Sequence, residues 1–347
     1  MINKGDIKVK EAKKCLLCGS PGIILYEDLQ DRLFQTLGIW SFLQCPSCCI
    51  GWLNPLPLPS ELGKLYADYF THSLSQEKKV LRGHNLLDKM RRAILAAHFG
   101  YTHLSLKPEA RRWDRLVSIL PLGKDFAGRF ILWLEYTPGG RLLEVGCGNG
   151  EYLKRMEDLG WDVQGVEPDT EAARIARDQH GVPVTAGRLE EADIPDNSLD
   201  AIIIQHVLEH VPNPLTLLRR CFCLLKPGGQ LIILTPNLES LGHRLFNKSW
   251  VHLDPPRHFF LFSSSSLEAS VKQAGFNIVR VNSKVRFHFT SWTWVTSRMI
   301  NLQGKYIEDD SSWTLKTTGK MFYIMEEVFR LLRKSAGEEL LLIATKE

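Results

Sequence analysis

The sequence predicts an α/β fold: a doubly wound parallel sheet with helices on both faces, a small metal-binding module at the N-terminus, and helical lid elements. Two observations predict it. From residue 141 to 234, short apolar segments alternate with segments of helical periodicity, the pattern of a parallel sheet whose crossovers are helices. Ahead of them, four cysteines stand as two Cys-x-x-Cys pairs within the first fifty residues, a spacing that suits a metal site.

The bulk properties bound the answer. The chain has 347 residues, 44% hydrophobic and 24% charged, an ordinary globular composition that supports a sizeable core. A formal net charge of +4 is too mild to demand nucleic acid or an anionic membrane as partner. No apolar run is long enough to span a bilayer. The basic start, Met1–Lys14, has no apolar stretch behind it, so no secretory signal is expected and the predicted compartment is a reducing cytoplasm.

Four segments follow along the chain. Residues 1–70 read as the metal module and a tether, because Pro55, Pro57 and Pro59 alternate and resist both helix and strand; Tyr66, Tyr69 and Phe70 follow. Residues 71–137 read as a helical linker or lid, with Leu87, Met90, Ile94 and Ala97 at helical spacing. Residues 138–283 hold the sheet, with strands expected at 141–145, 163–167, 182–185, 200–204, 230–234 and 277–282 and helices near 151–159, 170–179 and 214–225. Residues 284–347 contain a long insertion and a final strand at 339–344.

Cys15, Cys18, Cys45 and Cys48 form the metal set. A Cys-x-x-Cys turn aims two thiolates at one point, and two such turns complete a tetrahedral sulfur shell for Zn²⁺. Cys49 competes with Cys48 for the fourth place, but the spacing favours Cys48. A closed sulfur shell keeps no open position, so the expected role is structural. Cys221 and Cys223 are expected to face the core of their helix as small apolar residues.

The second motif is Leu142-Leu143-Glu144-Val145-Gly146-Cys147-Gly148-Asn149-Gly150, a strand running into a glycine turn and then a helix. The glycines miss the G-x-G-x-x-G spacing that dinucleotides favour. Glu151 at the helix start competes for the positive end that a pyrophosphate would occupy, which points to a ligand without phosphate. Glu167 closes the next strand, where an acid accepts hydrogen bonds from ribose hydroxyls.

Residues 141–236 resemble class I S-adenosylmethionine-dependent methyltransferases. LLEVGCGNG is similar to their first motif, VQGVEPD to the second, LDAIIIQHVLEHVPNP to the segment around the fourth strand and LLKPGGQLIILTPN to the fifth. The Cys-rich start with LNPLPLPSELGKLYADYF, and PPRHFFLFS downstream, resemble bacterial methyltransferases acting on sugars, glycans or natural products. The resemblance implies a seven-stranded Rossmann-like sheet. It implies S-adenosylmethionine held by Glu144, Gly146, Gly148 and Asn149 at its methionine end, with Cys147 and Gly150 also among the cofactor-binding residues. Glu167 would meet the ribose and Pro168 the adenine, with Gln205 and His206 flanking. Where many relatives carry an Asp after the third strand, this chain has Arg188, which cannot accept a hydrogen bond; Leu189 or the backbone would serve adenine instead.

The implied reaction moves an activated methyl group to an acceptor, a small molecule, sugar or glycan, at oxygen or carbon. His210 and His258 are the two candidates for taking the acceptor's proton; the alternative for each is a packed, backbone-bonded ring. Phe287, Phe289, Trp292 and Trp294 stack either on an acceptor or in the core. Met321, Phe322, Met325, Val328, Phe329 and Leu332 form a helical stripe expected to pack on the sheet, the alternative being weak membrane-surface contact. A nucleic-acid methyltransferase is the nearest rival, but Asp254-Pro255-Pro256-Arg257 falls outside the strand-four position of base-amine enzymes and has Arg where an aromatic would stack. A non-catalytic binding protein of the same fold is the other rival.

Overall fold

The computed structural model describes residues 2–4, 7–65, 86–104, 121–307 and 313–347; Tyr66, Tyr69 and Phe70 lie outside them. The N-terminal region forms two small sheets. Strands β1 (Ile2–Lys4) and β2 (Ile7–Lys10) make a hairpin. Strands β3 (Ile23–Leu29), β4 (Trp40–Gln44) and β5 (Gly51–Asn54) make a meander, and β6 (Leu56–Pro57) pairs back onto β2. The alternating prolines therefore do not form a tether. Pro57 tolerates its place opposite Val9 because β6 is an edge strand, where a missing N–H breaks no ladder.

The sheet domain contributes β7 (Arg141–Val145), β8 (Asp162–Glu167), β9 (Val184–Ala186), β10 (Leu199–Gln205), β11 (Leu225–Pro236), β12 (Phe260–Leu261), β13 (Asn277–Lys284) and β14 (Glu339–Thr345). Seven of these form one sheet in the order β13-β14-β11-β10-β7-β8-β9. The run from β11 to β9 is parallel, and β14 lies antiparallel between β11 and β13. Ala201, Ile202, Ile203 and Ile204 are all fully buried, which is why β10 is a continuous apolar run: both of its faces are covered. Strand β12 leaves this domain and adds to the module's sheet, in the order β12-β5-β4-β3.

Chain order reverses direction at β7, whose neighbours are β8 on one side and β10 on the other. The loops after β7 and β10 diverge there and open a crevice beyond the strands' carboxyl ends, the place where open α/β sheets bind ligands. Two helices, Phe287–Gln303 and Trp313–Leu332, fill the insertion before β14 and pack on one another, with Trp294 stacked on Phe322 at 4.7 Å. The apolar stripe of the second helix departs from expectation. Phe322 is buried, but Met321, Met325, Val328 and Leu332 are exposed. Cys221 is buried as expected, whereas Cys223 is exposed. Among the described residues, no helix is long and apolar enough to cross a membrane.

Candidate active site

The turn after β7 is built on left-handed backbone that glycine alone adopts cheaply. Gly146, Gly148 and Gly150 have φ of 69°, 53° and 80°. A Cβ on Gly146 would lie 2.4 Å from Val207 Cγ2, and one on Gly150 2.7 Å from Ala176 Cβ. The Gly146 amide donates to the Val166 carbonyl at 2.7 Å, so the turn is tied to β8. Gly148 N–H donates to Glu167 Oε2 at 2.8 Å and Asp169 N–H to Glu167 Oε1 at 2.9 Å. Glu167 thus closes the turn itself, and each of its oxygens keeps one further accepting position.

A cavity of about 410 Å³ opens at this turn. Of the residues expected to hold a cofactor, Glu144, Gly146, Cys147, Gly148, Asn149 and Gln205 line it, together with Arg129, Leu132, Glu151, Tyr152, Arg155 and Arg286. Gly150, Glu167, Pro168, Arg188, Leu189 and His206 do not. Leu189 is buried in the core, and Arg188 donates from Nη2 to the Pro59 carbonyl of the module at 3.3 Å. Glu144 is the informative member. Its Oε2 is buried without a hydrogen-bond partner, and burial pushes its carboxyl well above the usual range. Arg155 offsets this only in part, and a buried carboxyl oxygen without a hydrogen-bond partner on the cavity wall suits a cationic ligand group. S-adenosylmethionine carries two such groups, so the residues present fit it.

Beyond Gln205 the chain turns at His206 with φ 53°, a costly conformation for a side-chain-bearing residue. Its ring stacks on Phe289 at 4.8 Å, and Nε2 lies 2.8 Å from Glu339 Oε1 and 3.0 Å from Arg286 Nη2. Burial would lower the His206 pKa, but the Glu209 and Glu339 carboxylates outweigh it and raise it. His206 therefore anchors a charged network beneath the cavity. Phe289 belongs to that packing too, stacking also on His252 at 4.7 Å.

The structure brings His210 and His258 together, with ring centroids 4.5 Å apart and planes at 73°. Neither ring lines the cavity. His210 Nδ1 lies 3.2 Å from the Arg257 carbonyl, and His258 Nδ1 lies 2.7 Å from the His252 carbonyl. Burial lowers both pKa values to about 4, so both imidazoles are neutral at pH 7. Glu209 stands beside them, 1% exposed. Burial would raise its pKa, but the contact from His206 outweighs this and holds it at about 2. The adjacency of Glu209 and His210 is visible in the sequence, whereas their meeting with His258 depends on the fold.

The Asp254-Pro255-Pro256-Arg257 segment is a structural lock. Arg257 is fully buried and donates to both oxygens of Asp31, at 2.7 and 2.8 Å, and from Nε to Asp254 at 3.1 Å. It joins the module to the sheet domain, a pairing across 226 residues that no local pattern announces.

In the module, Cys15, Cys18, Cys45 and Cys48 place their sulfur atoms within 4.8 Å of one another. The Leu17 and Cys48 amides point at the Cys15 and Cys45 sulfurs, at 3.4 and 3.5 Å. Gly19 and Cys49 follow their respective pairs in the same left-handed conformation, φ 75° and 62°. Cys49 is thus the turn residue of the second knuckle, and the donor set fits a tetrahedral thiophilic ion.

Comparison with known proteins gives the family. A family described as "Methyltransferase domain" matches residues 114–281. A ubiquinone biosynthesis O-methyltransferase of Bordetella avium is 31% identical over 186 residues, 48% of this chain and 75% of the relative. One of the same name from Xanthomonas campestris is 38% identical over 107 residues, 29% of this chain. The chain spans 44% of that relative's length. An S-adenosylmethionine-dependent methyltransferase structure from Archaeoglobus fulgidus superposes with TM-score 0.44 at 21% identity, covering 65% of this chain and 93% of the other. The chain belongs to the class I S-adenosylmethionine-dependent methyltransferases.

Proposed function

We propose that this protein transfers the methyl group of S-adenosylmethionine to an oxygen of a small-molecule acceptor, a class that includes sugars and glycans. The observation that carries the reading is the cavity at the β7 turn, where Glu144, its Oε2 without a hydrogen-bond partner, lines an opening built on left-handed glycines. The cofactor supplies a sulfonium methyl already activated toward nucleophiles. The protein's part is to hold the acceptor in line and receive its proton. His210, partly exposed beside buried His258, forms with it the place proposed to meet the acceptor oxygen. Oxygen is favoured as the methylated atom because the relatives above are named O-methyltransferases. A base-amine role in nucleic acid is disfavoured, because the Asp254–Arg257 segment is occupied in the buried lock.

The four-cysteine cluster is proposed to hold one structural Zn²⁺, supported by its sulfur geometry. The test of the whole reading is transfer of labelled methyl from S-adenosylmethionine to a panel of sugars, nucleotide sugars, lipid-linked glycans and phenols. Label in at least one hydroxylated acceptor is expected. Cofactor binding with label in none of them would leave a binding protein of the same fold.

A further inference from the structure

We propose that Glu209, His210 and His258 form a second metal site, which takes one divalent transition-metal ion through one carboxylate oxygen and two imidazole nitrogens. Each residue offers a donor atom, and these atoms all lie within 4.8 Å of one another. The cluster is distinct from the four cysteines in both position and chemistry.

The tautomers favour ligation. A backbone carbonyl only accepts, so the Nδ1 contacts of His210 to Arg257 O and of His258 to His252 O place the ring protons on Nδ1. Each Nε2 is then the basic nitrogen, in the form that binds metals. A metal-bound histidine is usually held in this way, with its second nitrogen donating to a carbonyl. Glu209 is oriented by the same kind of support. Its Oε2 accepts from Thr235 Oγ1 at 2.9 Å, fixing the carboxylate. Its Oε1 is buried and forms an ion pair with His206, 3.4 Å from Nδ1. The protonated His206 balances one charge of this carboxylate, and the face of Glu209 turned to His210 and His258 meets two neutral imidazoles, a donor set of one carboxylate and two nitrogens.

Two imidazoles and one carboxylate suit zinc, iron or manganese better than magnesium or calcium, which prefer oxygen shells. Three protein ligands leave at least one coordination position for water or an acceptor oxygen. The site lies next to the cavity through His206, which contacts both Glu209 and the cavity-lining Arg286. The inference deepens the proposed role of the His210–His258 pair, but it is tested on metal binding alone, so its failure would not touch the methyl-transfer reading.

The test is a cobalt titration of the metal-free full chain, followed by absorption. The thiolate-to-metal charge-transfer band reports the cysteine site, and weaker visible bands report nitrogen–oxygen coordination. The expected result is two equivalents of Co²⁺ per chain, the thiolate band accounting for one. Glu209→Gln and His258→Ala should each weaken the other equivalent by about tenfold or more, with the thiolate band unchanged. Should either variant lose its circular dichroism, His210→Asn replaces it, and the wild-type stoichiometry decides independently. Saturation at one equivalent in the wild type would overturn the proposal. So would a second equivalent that all folded variants keep at full affinity.

Discussion

The module of residues 7–65 and the seven-stranded sheet are both β structures in one chain, yet they hold together by different means. The sheet buries whole strands: four consecutive residues of β10 are fully inaccessible, and so are Leu231–Leu234 of β11 facing them. The module has strands as short as the two residues of β6, borrows β12 from the other domain, and gathers four sulfurs where apolar side chains would otherwise be needed. Large residues such as Trp40, Phe42 and Trp52 supplement that core. The difference teaches that the sheet is stable by area and the module by a few specific bonds. Single changes should therefore be severe in the module and graded in the sheet.

The largest effect is expected at the sulfur cluster. Cys45→Ser should release the zinc proposed for this cluster, whose binding is worth on the order of 10–16 kcal/mol in small zinc domains. Protease should then cut within residues 7–65 while the parallel sheet keeps its circular dichroism. A module that stays protected without metal would break the contrast. Next is the lock between the regions. Arg257→Met leaves Asp31 and Asp254 buried without their counter-charge and should cost about 3–5 kcal/mol in denaturant unfolding.

A smaller effect should follow pH. The pKa of Asp31 is pushed up by burial, but the Arg257 hydrogen bonds and charge and the Phe34 amide outweigh this and hold it at about 2. A carboxyl depressed from 3.8 contributes stability above its unfolded pKa and loses it as pH falls from about 4 toward 2. The contribution is about 2 kcal/mol. Denaturant midpoints between pH 5 and 3 should fall more for the wild type than for Asp31→Asn, and equal slopes would remove Asp31 from the lock. The smallest effect belongs to the sheet domain. Asp169 caps the helix Thr170–Ile175 by accepting from the Glu171 and Ala172 amides, so Asp169→Ala should cost about 1 kcal/mol with no loss of metal.

The same contrast governs what the sequence revealed. The strands of the large sheet were legible because burial on both faces writes a continuous apolar run, as in Ala201–Ile204. The sulfur pairs and the glycine turn were legible because their chemistry is local in sequence. What escaped was non-local or edge-dependent. Pro57 reads as a strand breaker until its place on an edge is known, and nothing near Phe260 shows that it joins β5. Periodicity identified the stripe on Trp313–Leu332 but could not say whether a partner covers it; only Phe322 of that stripe is fully buried. At the site, the glycine turn is readable, whereas the positions of Arg188 and Leu189 after the third strand follow only from the family resemblance. Here one reaches to Pro59 and the other packs in the core.

The central claim is the proposal that the glycine turn after β7, tied by Glu167, opens the cavity that holds the cofactor, and calorimetric titration with S-adenosylmethionine and S-adenosylhomocysteine tests it most directly. The account predicts saturable binding of one equivalent of each to the wild-type protein. It predicts no detectable binding to Gly148→Asp, which brings a carboxylate onto φ 53° backbone beside the Glu167 contact. Equal affinity in that variant, or no binding of either ligand to the wild type, would contradict it.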